Sequence, residues 1–200
     1  SFAKSDKLKV NQLQLYADDL KADALKRIVL LKEVRRKQIA EAKWEEWIAT
    51  QINIGEAEER IGDFEQAAMD YKQALDRLLE QPVPFVGTLE KLIESRTRTL
   101  LRAGKYNDAV LFAGEWIRKD QAYQQTFGPA IRKEVERLNS EAETTRNNVL
   151  LDRAMDLIKQ SLTAEPPLAR QYQIDLKDLE TEITKRIANR SQVPNFPSDA

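Results

Sequence analysis

Residues 53–75 organise the chain and read NIGEAEERIGDFEQAAMDYKQAL. Two helical patterns meet in this stretch at Gly62-Asp63. The apolar residues that follow recur at three- and four-residue steps and share one helical face: Phe64, Ala67, Tyr71, Ala74 and Leu78. Gly62 suits a helix C-terminus, where a left-handed residue satisfies the last carbonyls, and Asp63 can cap the next helix. The stretch therefore predicts an antiparallel helical hairpin.

The small residues of this stretch let the two helices approach closely, and the aromatic residues fill the remaining gaps. The pattern resembles the tetratricopeptide repeat. The matching positions are Ile54-Gly55, Gly62-Asp63-Phe64, Ala67, Tyr71 and Ala74. The family usually has an aromatic residue one turn after the first glycine, where this chain has Glu58. The family's closing proline is also displaced, because the prolines come late, at Pro82 and Pro84.

A second copy of the turn follows, because GKYNDAV at 104–110 repeats GDFEQAA at 62–68. Helices are expected over 89–103 and 107–118, which gives repeats at about 48–79 and 90–118. The family's usual period is about 34 residues, so the extra residues lie in the loop at 82–88, with Thr88 as the next cap. The resemblance covers residues 45–120. The alternative is an ordinary helical hairpin bundle.

The remaining segments also favour helices. Between Leu8 and Gln51 there is neither Gly nor Pro, and we expect helices over 6–16 and 18–40, capped at Asp18 or Asp19. A single helix through Asp18 is the alternative. The basic segment 26–37 is interpreted as a solvated helix face whose Leu and Ile side packs on the next hairpin; contact with an acidic partner or anionic lipid is the alternative.

The C-terminal half contains three expected breaks, the last of them at Glu165-Pro166-Pro167. Phe127-Gly128-Pro129 is the first, and the second lies near Thr144-Thr145 and creates a third hairpin; one long helix from Pro129 to Leu162 is the alternative. A last helix is expected over 168–188. The prediction is thus an all-α, tetratricopeptide-like α-solenoid with four parts. They are an N-terminal helical extension (1–44), a repeat region (45–162), a capping helix (163–188) and a flexible tail (189–200).

Composition excludes several classes of function. The chain has 200 residues, 32 basic and 33 acidic, with a net charge of −1, so strong attraction to nucleic acid is not expected. It has no His and no Cys, which removes disulfides, thiolate or imidazole metal sites and the commonest catalytic groups. No nucleotide-binding or EF-hand motif occurs. We therefore expect a protein that is not an enzyme and has no cofactor. No apolar run approaches the roughly 20 residues of a membrane span.

The family resemblance implies a binding surface. In stacked hairpins the first helix of each pair lines the concave face, which places there Ala49, Ile52, Glu56, Glu59 and Arg60, then Lys91, Glu94, Arg98, Leu101 and Arg102. The partner-binding residues predicted from this set are Ile52, Glu56, Arg60, Lys91, Glu94, Arg98 and Arg102. The basic members suit acidic side chains or a chain-terminal carboxylate; the alternative is ordinary surface charge.

The expected function is that of an adaptor or assembly factor that binds a peptide or helical segment of another protein. Two alternatives remain. One is a structural module in which the N-terminal helices associate as a homodimer. The other is a sensor or regulatory domain of a larger membrane-anchored protein, because the chain begins at Ser1 rather than at Met. Absence of cysteine is compatible with reducing and oxidising compartments alike.

Overall fold

The computed structural model describes residues 2–82 and 85–191, with side chains described over 19–82 and 85–189. In these ranges every regular element is a helix, which confirms an all-α fold of antiparallel helical hairpins. The elements are α1 (Phe2–Ala40), α2 (Trp44–Ile61), α3 (Phe64–Leu79), α4 (Val86–Arg102), α5 (Tyr106–Lys119), a 3-10 turn (Gln121–Tyr123), α6 (Gln124–Thr145), α7 (Asn148–Leu162) and α8 (Arg170–Ser191). The chain divides into two compact units, Ser1–Thr99 and Leu100–Ala200.

The turn between α2 and α3 confirms both predicted caps. Gly62 adopts a left-handed φ of 82°, and its N–H donates to the Glu59 carbonyl at 3.1 Å. The side chain of Asp63 accepts a hydrogen bond from the Gln66 backbone N–H at 3.2 Å. Only glycine adopts this φ at no steric cost, and the capping carboxylate satisfies an otherwise unpaired donor. The hairpin therefore follows from its local sequence.

Close approach of α2 and α3 depends on Gly55. A Cβ atom at this position would lie 2.8 Å from Cε1 and 2.9 Å from Cζ of Tyr71. Tyr71 is fully buried, and its hydroxyl donates to Glu59 Oε1 at 2.7 Å. The glycine thus makes room for an aromatic ring that is held in place from its far end.

Helix α1 is one continuous helix from Phe2 to Ala40. The prediction of two helices capped at Asp18 or Asp19 is therefore wrong, and the alternative of a single helix is confirmed. The physical reason lies in composition, because no Gly or Pro interrupts the segment and its residues are mostly good helix formers. Ile28 and Leu31 pack against Ile54, Ala57 and Ile61 of α2, as expected for the Leu and Ile side of the basic segment.

In the second unit, α6, α7 and α8 pack on one another, and α5 packs on α7. The third hairpin is confirmed. Its break falls at Arg146, which has a left-handed φ of 53°, followed by Asn147, whose side chain accepts from the Val149 N–H at 3.1 Å. The sequence signal for this break was a run of polar residues rather than a glycine.

The break predicted at Phe127-Gly128-Pro129 is wrong, because these residues lie inside α6. The chain changes direction earlier, at Asp120, which has an extended backbone and accepts from the Ala122 N–H at 2.8 Å. Phe127 is fully buried, with its ring centroid 5.9 Å from that of Phe112. Burial of this aromatic ring offsets the hydrogen bond that a proline inside a helix cannot make.

Two further boundaries differ from expectation. Helix α4 begins at Val86, and the Thr88 N–H donates to the Phe85 carbonyl at 3.1 Å, so Thr88 lies inside the first turn and is not the cap. Helix α8 extends from Arg170 to Ser191 and packs on α6 and α7. The tail predicted over 189–200 lies, from residue 192 onward, outside the described residues.

Candidate functional site

The first unit contains an open cleft of about 450 Å³ between the start of α2, the end of α3 and the start of α4. Its walls are mainly apolar, and three polar side chains accompany them. The lining residues are Glu45, Ile48, Ala49, Ile52, Leu78, Gln81, Pro82, Phe85 and Thr88.

Helical spacing brings the α2 residues of the cleft together. Positions 45, 48, 49 and 52 lie three, four and seven residues apart and share one face. Ile48 and Ile52 are buried, whereas Ala49 is exposed, and its short side chain leaves room above it. Phe85 is 69% exposed at the opposite rim. A concave, mostly apolar site with a few polar groups is the usual form of a binding pocket.

Two of the residues placed on the concave face by sequence, Ala49 and Ile52, line this cleft. Four others pair with each other instead. Lys91 Nζ lies 2.7 Å from Glu56 Oε1, and the guanidinium of Arg98 donates two hydrogen bonds to Glu59, at 2.9 and 2.8 Å. The hydrogen bonds to Glu59 raise the pKa of Arg98.

The carboxylate of Glu59 therefore accepts hydrogen bonds from two other helices. It accepts from Tyr71 of α3 as well as from Arg98 of α4. Burial, followed by the hydrogen bond to Glu59, raises the pKa of Tyr71, so the phenol stays a donor. Reversing the charge at Arg98 would bring a carboxylate against Glu59 and lower stability. Such a variant cannot separate an effect on binding from an effect on folding.

The remaining predicted residues, Arg60, Glu94 and Arg102, are exposed, and none of them lines the cleft. The cleft thus includes two apolar residues of the predicted surface and none of its charged residues. Trp44 and Trp47 of α2 are both half-buried. Trp44 lies under the guanidinium of Arg77, which is 3.6 Å from the ring centroid.

A buried polar cluster joins α1, α2 and α3; we call it the Glu58 cluster. Its members are Lys32, Arg35, Gln51, Glu58, Asp70 and Gln73. Glu58 and Asp70 are each 2% exposed. Lys32 Nζ lies 3.3 Å from Glu58 Oε1. The amide of Gln51 donates to Asp70 Oδ1 at 2.6 Å and to Gln73 Oε1 at 3.1 Å.

Arg35 completes the Glu58 cluster from α1. Its Nη1 donates to Gln51 Oε1 at 2.9 Å and lies 3.9 Å from Asp70 Oδ1. Burial raises the pKa of Glu58 to about 8, and the hydrogen bond and charge of Asp70 act in the same direction, whereas Lys32 opposes them. A buried carboxyl beside a second carboxylate favours its neutral form.

Sequence reasoning missed this cluster. The available signal was Glu58 itself, which occupies a position where the family usually has an aromatic residue. Its charge at a core position required partners, and they come from a helix 26 residues away in sequence. The interpretation of the basic segment as a solvated face is therefore wrong for Lys32 and Arg35, because both side chains are partly buried and contact the cluster.

Comparison of the chain with models of protein families, with curated proteins and with solved structures gives no match. Across the part of the chain that the structure describes, no helix is both long enough and apolar enough to cross a membrane. The same residues contain no group of three or more acidic side chains placed to hold a metal ion.

Proposed function

We propose that this chain is a non-enzymatic protein-binding module, an adaptor or assembly factor of tetratricopeptide-like build. It holds a peptide or helical segment of a partner protein against α2. The observation that carries this proposal is the apolar cleft at Ile48, Ala49 and Ile52. The proposal is supported by the hairpin itself, whose glycine turn and Gly55–Tyr71 contact match the repeat pattern.

The chemistry of the cleft indicates what it would hold. A volume of about 450 Å³ falls in the range of ligand pockets and suits one or two large apolar side chains. Buried apolar anchors supply most of the affinity in such interfaces. Because Lys91 and Arg98 are already paired with Glu56 and Glu59, the partner's contribution is expected to be apolar rather than acidic. Glu45 at the rim can receive a basic residue beside the anchor.

Filling the cleft is expected to abolish partner capture. Ala49→Trp places an indole in the cleft from an exposed position, so the core is left unchanged. Ala188→Trp adds the same side chain at an exposed position of α8 and serves as the matched control. In affinity capture from native extract, we expect the wild-type chain and Ala188→Trp to retain one partner that Ala49→Trp loses at least tenfold. Equal capture by all three chains would contradict the proposal.

A second candidate function is self-association through α1. Its described part leaves large apolar side chains exposed, at 44–68%: Leu20, Leu25, Val29, Leu30, Val34 and Ile39. Exposed apolar side chains gathered on one element are a common mark of protein interfaces. In the capture experiment, this candidate predicts recovery of a second copy of the chain, unaffected by Ala49→Trp.

A further inference from the structure

The face of α1 that points away from the α2–α3 hairpin carries the two most exposed apolar residues of this helix's described side chains. Ile28 and Leu31 turn toward the hairpin and pack on α2. Val29 and Leu30 are each 68% exposed. Because successive residues of an α-helix are about 100° apart, Val29 and Leu30 lie on either side of the line that points directly away from the hairpin. An apolar pair at this place on a helix is a candidate contact with another chain.

Four exposed charges accompany Val29 and Leu30 on the outward half of α1, and their signs alternate: Asp23, Lys26, Glu33 and Lys37. Read from the N-terminus, the order is negative, positive, negative, positive. Read from the C-terminus, every sign is inverted. Two copies of this face that run antiparallel therefore place opposite charges against each other, whereas two parallel copies place each charge against its own copy.

The two carboxylates of this face can each accept a further cation. Asp23 lies 3.9 Å from Lys26, and Glu33 lies 2.9 Å from Arg36, both along the same helix. These pairs are exposed to solvent, and pairs of this kind contribute little to stability. An ionised carboxylate has several acceptor positions, so a second cation adds to the first without displacing it.

We propose that two copies of the chain associate through the outward face of α1, antiparallel, about a two-fold axis that passes between Val29 and Leu30. Each of these two residues then packs on the same residue of the second copy. Lys26 lies three residues before Val29 and Glu33 three residues after Leu30. The axis therefore brings Lys26 of each copy to Glu33 of the other, and the symmetry makes this contact twice. This inference rests on the second candidate function, self-association through α1, and gives it an orientation and a register.

The charges specify the register as well as the orientation. About the same axis, Asp23 of one copy meets Lys37 of the other to within one residue. Sliding one copy by about one helical turn brings Lys26 opposite Lys37 in one direction, and Asp23 opposite Glu33 in the other. Like charges face each other in both shifted arrangements. Complementary charges beside an apolar contact are the usual way in which paired helices select orientation and register.

Cysteine cross-linking of the full chain tests the orientation, because the chain contains no cysteine of its own. In the proposed dimer, Leu30→Cys meets its own copy within the distance of about 4.4–6.8 Å between Cα atoms that a disulfide needs. Ala22→Cys is the control, since it is exposed on the same face, but its two copies lie about 22 Å apart along the helix axis. We expect copper–phenanthroline oxidation to cross-link Leu30→Cys to itself but not Ala22→Cys. A mixture of Ala22→Cys and Lys37→Cys should give the mixed disulfide.

Charge exchange tests the register without cysteines. Glu33→Lys places a lysine opposite Lys26 of the second copy, and sedimentation equilibrium is expected to show dimerisation at least about tenfold weaker. Adding Lys26→Glu to Glu33→Lys restores opposite charges between antiparallel copies and should restore dimerisation. Glu115→Lys makes the same change of charge at an exposed position of α5 and should dimerise as the wild-type chain does.

The outcomes separate this inference from the functions proposed above. A wild-type chain that stays monomeric throughout the dilution series would overturn the inference and the second candidate function together. A dimer in which Ala22→Cys cross-links to itself, or in which the charge exchange fails to restore association, would overturn the antiparallel arrangement and leave self-association standing. Neither result changes the prediction that Ala49→Trp blocks the cleft.

Discussion

Tyr71→Ala is expected to lower the free energy of unfolding by about 3–5 kcal/mol, because it empties the centre of the α2–α3 contact. Tyr71 is fully buried, its ring lies against Gly55, and its hydroxyl bonds to Glu59. The variant therefore loses apolar burial and leaves Glu59 with one donor fewer. Urea denaturation followed by the fluorescence of Trp44 and Trp47, in a Trp116→Phe background, measures the loss in the first unit.

Gly55→Ala provides the matched test of the close contact. Alone, it brings a methyl group to 2.8 Å from the buried ring, and a cost of about 1–3 kcal/mol is expected from overpacking. In the Tyr71→Ala background the same change should be neutral or stabilising, because alanine favours a helix over glycine by about 1 kcal/mol. Additive effects of the two substitutions would show that the ring and the glycine are not in contact.

The ionisation of Glu58 is expected to lower the free energy of unfolding by about 3 kcal/mol between pH 5.5 and pH 8. Its pKa is raised in the folded chain from 4.5 to about 8, chiefly by burial. An acidic group whose pKa is higher in the folded than in the unfolded chain contributes its full stabilisation at pH values below its unfolded pKa. That stabilisation is lost as the pH rises through the folded pKa, here in the window from about 4.5 to 8. Urea midpoints measured across this range give the dependence.

Glu58→Gln identifies the source of this pH dependence. The amide cannot ionise, so the variant is expected to show a nearly flat profile over the same range. Exposed Glu33→Gln should retain the slope of the wild-type chain. If the wild-type chain gained stability with rising pH, or if Glu58→Gln kept the full slope, Glu58 would not carry a raised pKa in the folded state.

The local part of the fold was predictable from sequence. Gly62 and Asp63 define the turn through backbone freedom and a capping carboxylate, and both effects act within four residues. The sequence also predicted that small residues such as Gly55 let the two helices approach closely and that Tyr71 fills a gap between them, although it did not predict that these two residues meet. The end of α6 was predicted from the polar residues near Thr144. The hairpin formed by α6 and α7 followed from that predicted break.

Other features depend on contacts between distant segments and were missed. The sequence near Phe127 contains the residues of a helix break, yet burial against Phe112 keeps it helical. Glu58 is surrounded by helix-forming residues, and only the docking of α1 shows that Lys32 meets it. The cleft likewise needs Phe85 and Leu78 beside Ile52, which spacing along one helix does not predict.

Site-directed photo-cross-linking from residue 49 tests the central claim most directly. The full chain carries benzoylphenylalanine in place of Ala49 or, as the control, in place of Ala188, and is irradiated in native extract. If the cleft holds a segment of a partner, a single protein should cross-link from position 49 and not from position 188. Cross-linking of the chain only to itself, or an identical pattern from both positions, would contradict the assignment of the cleft as a partner-binding site.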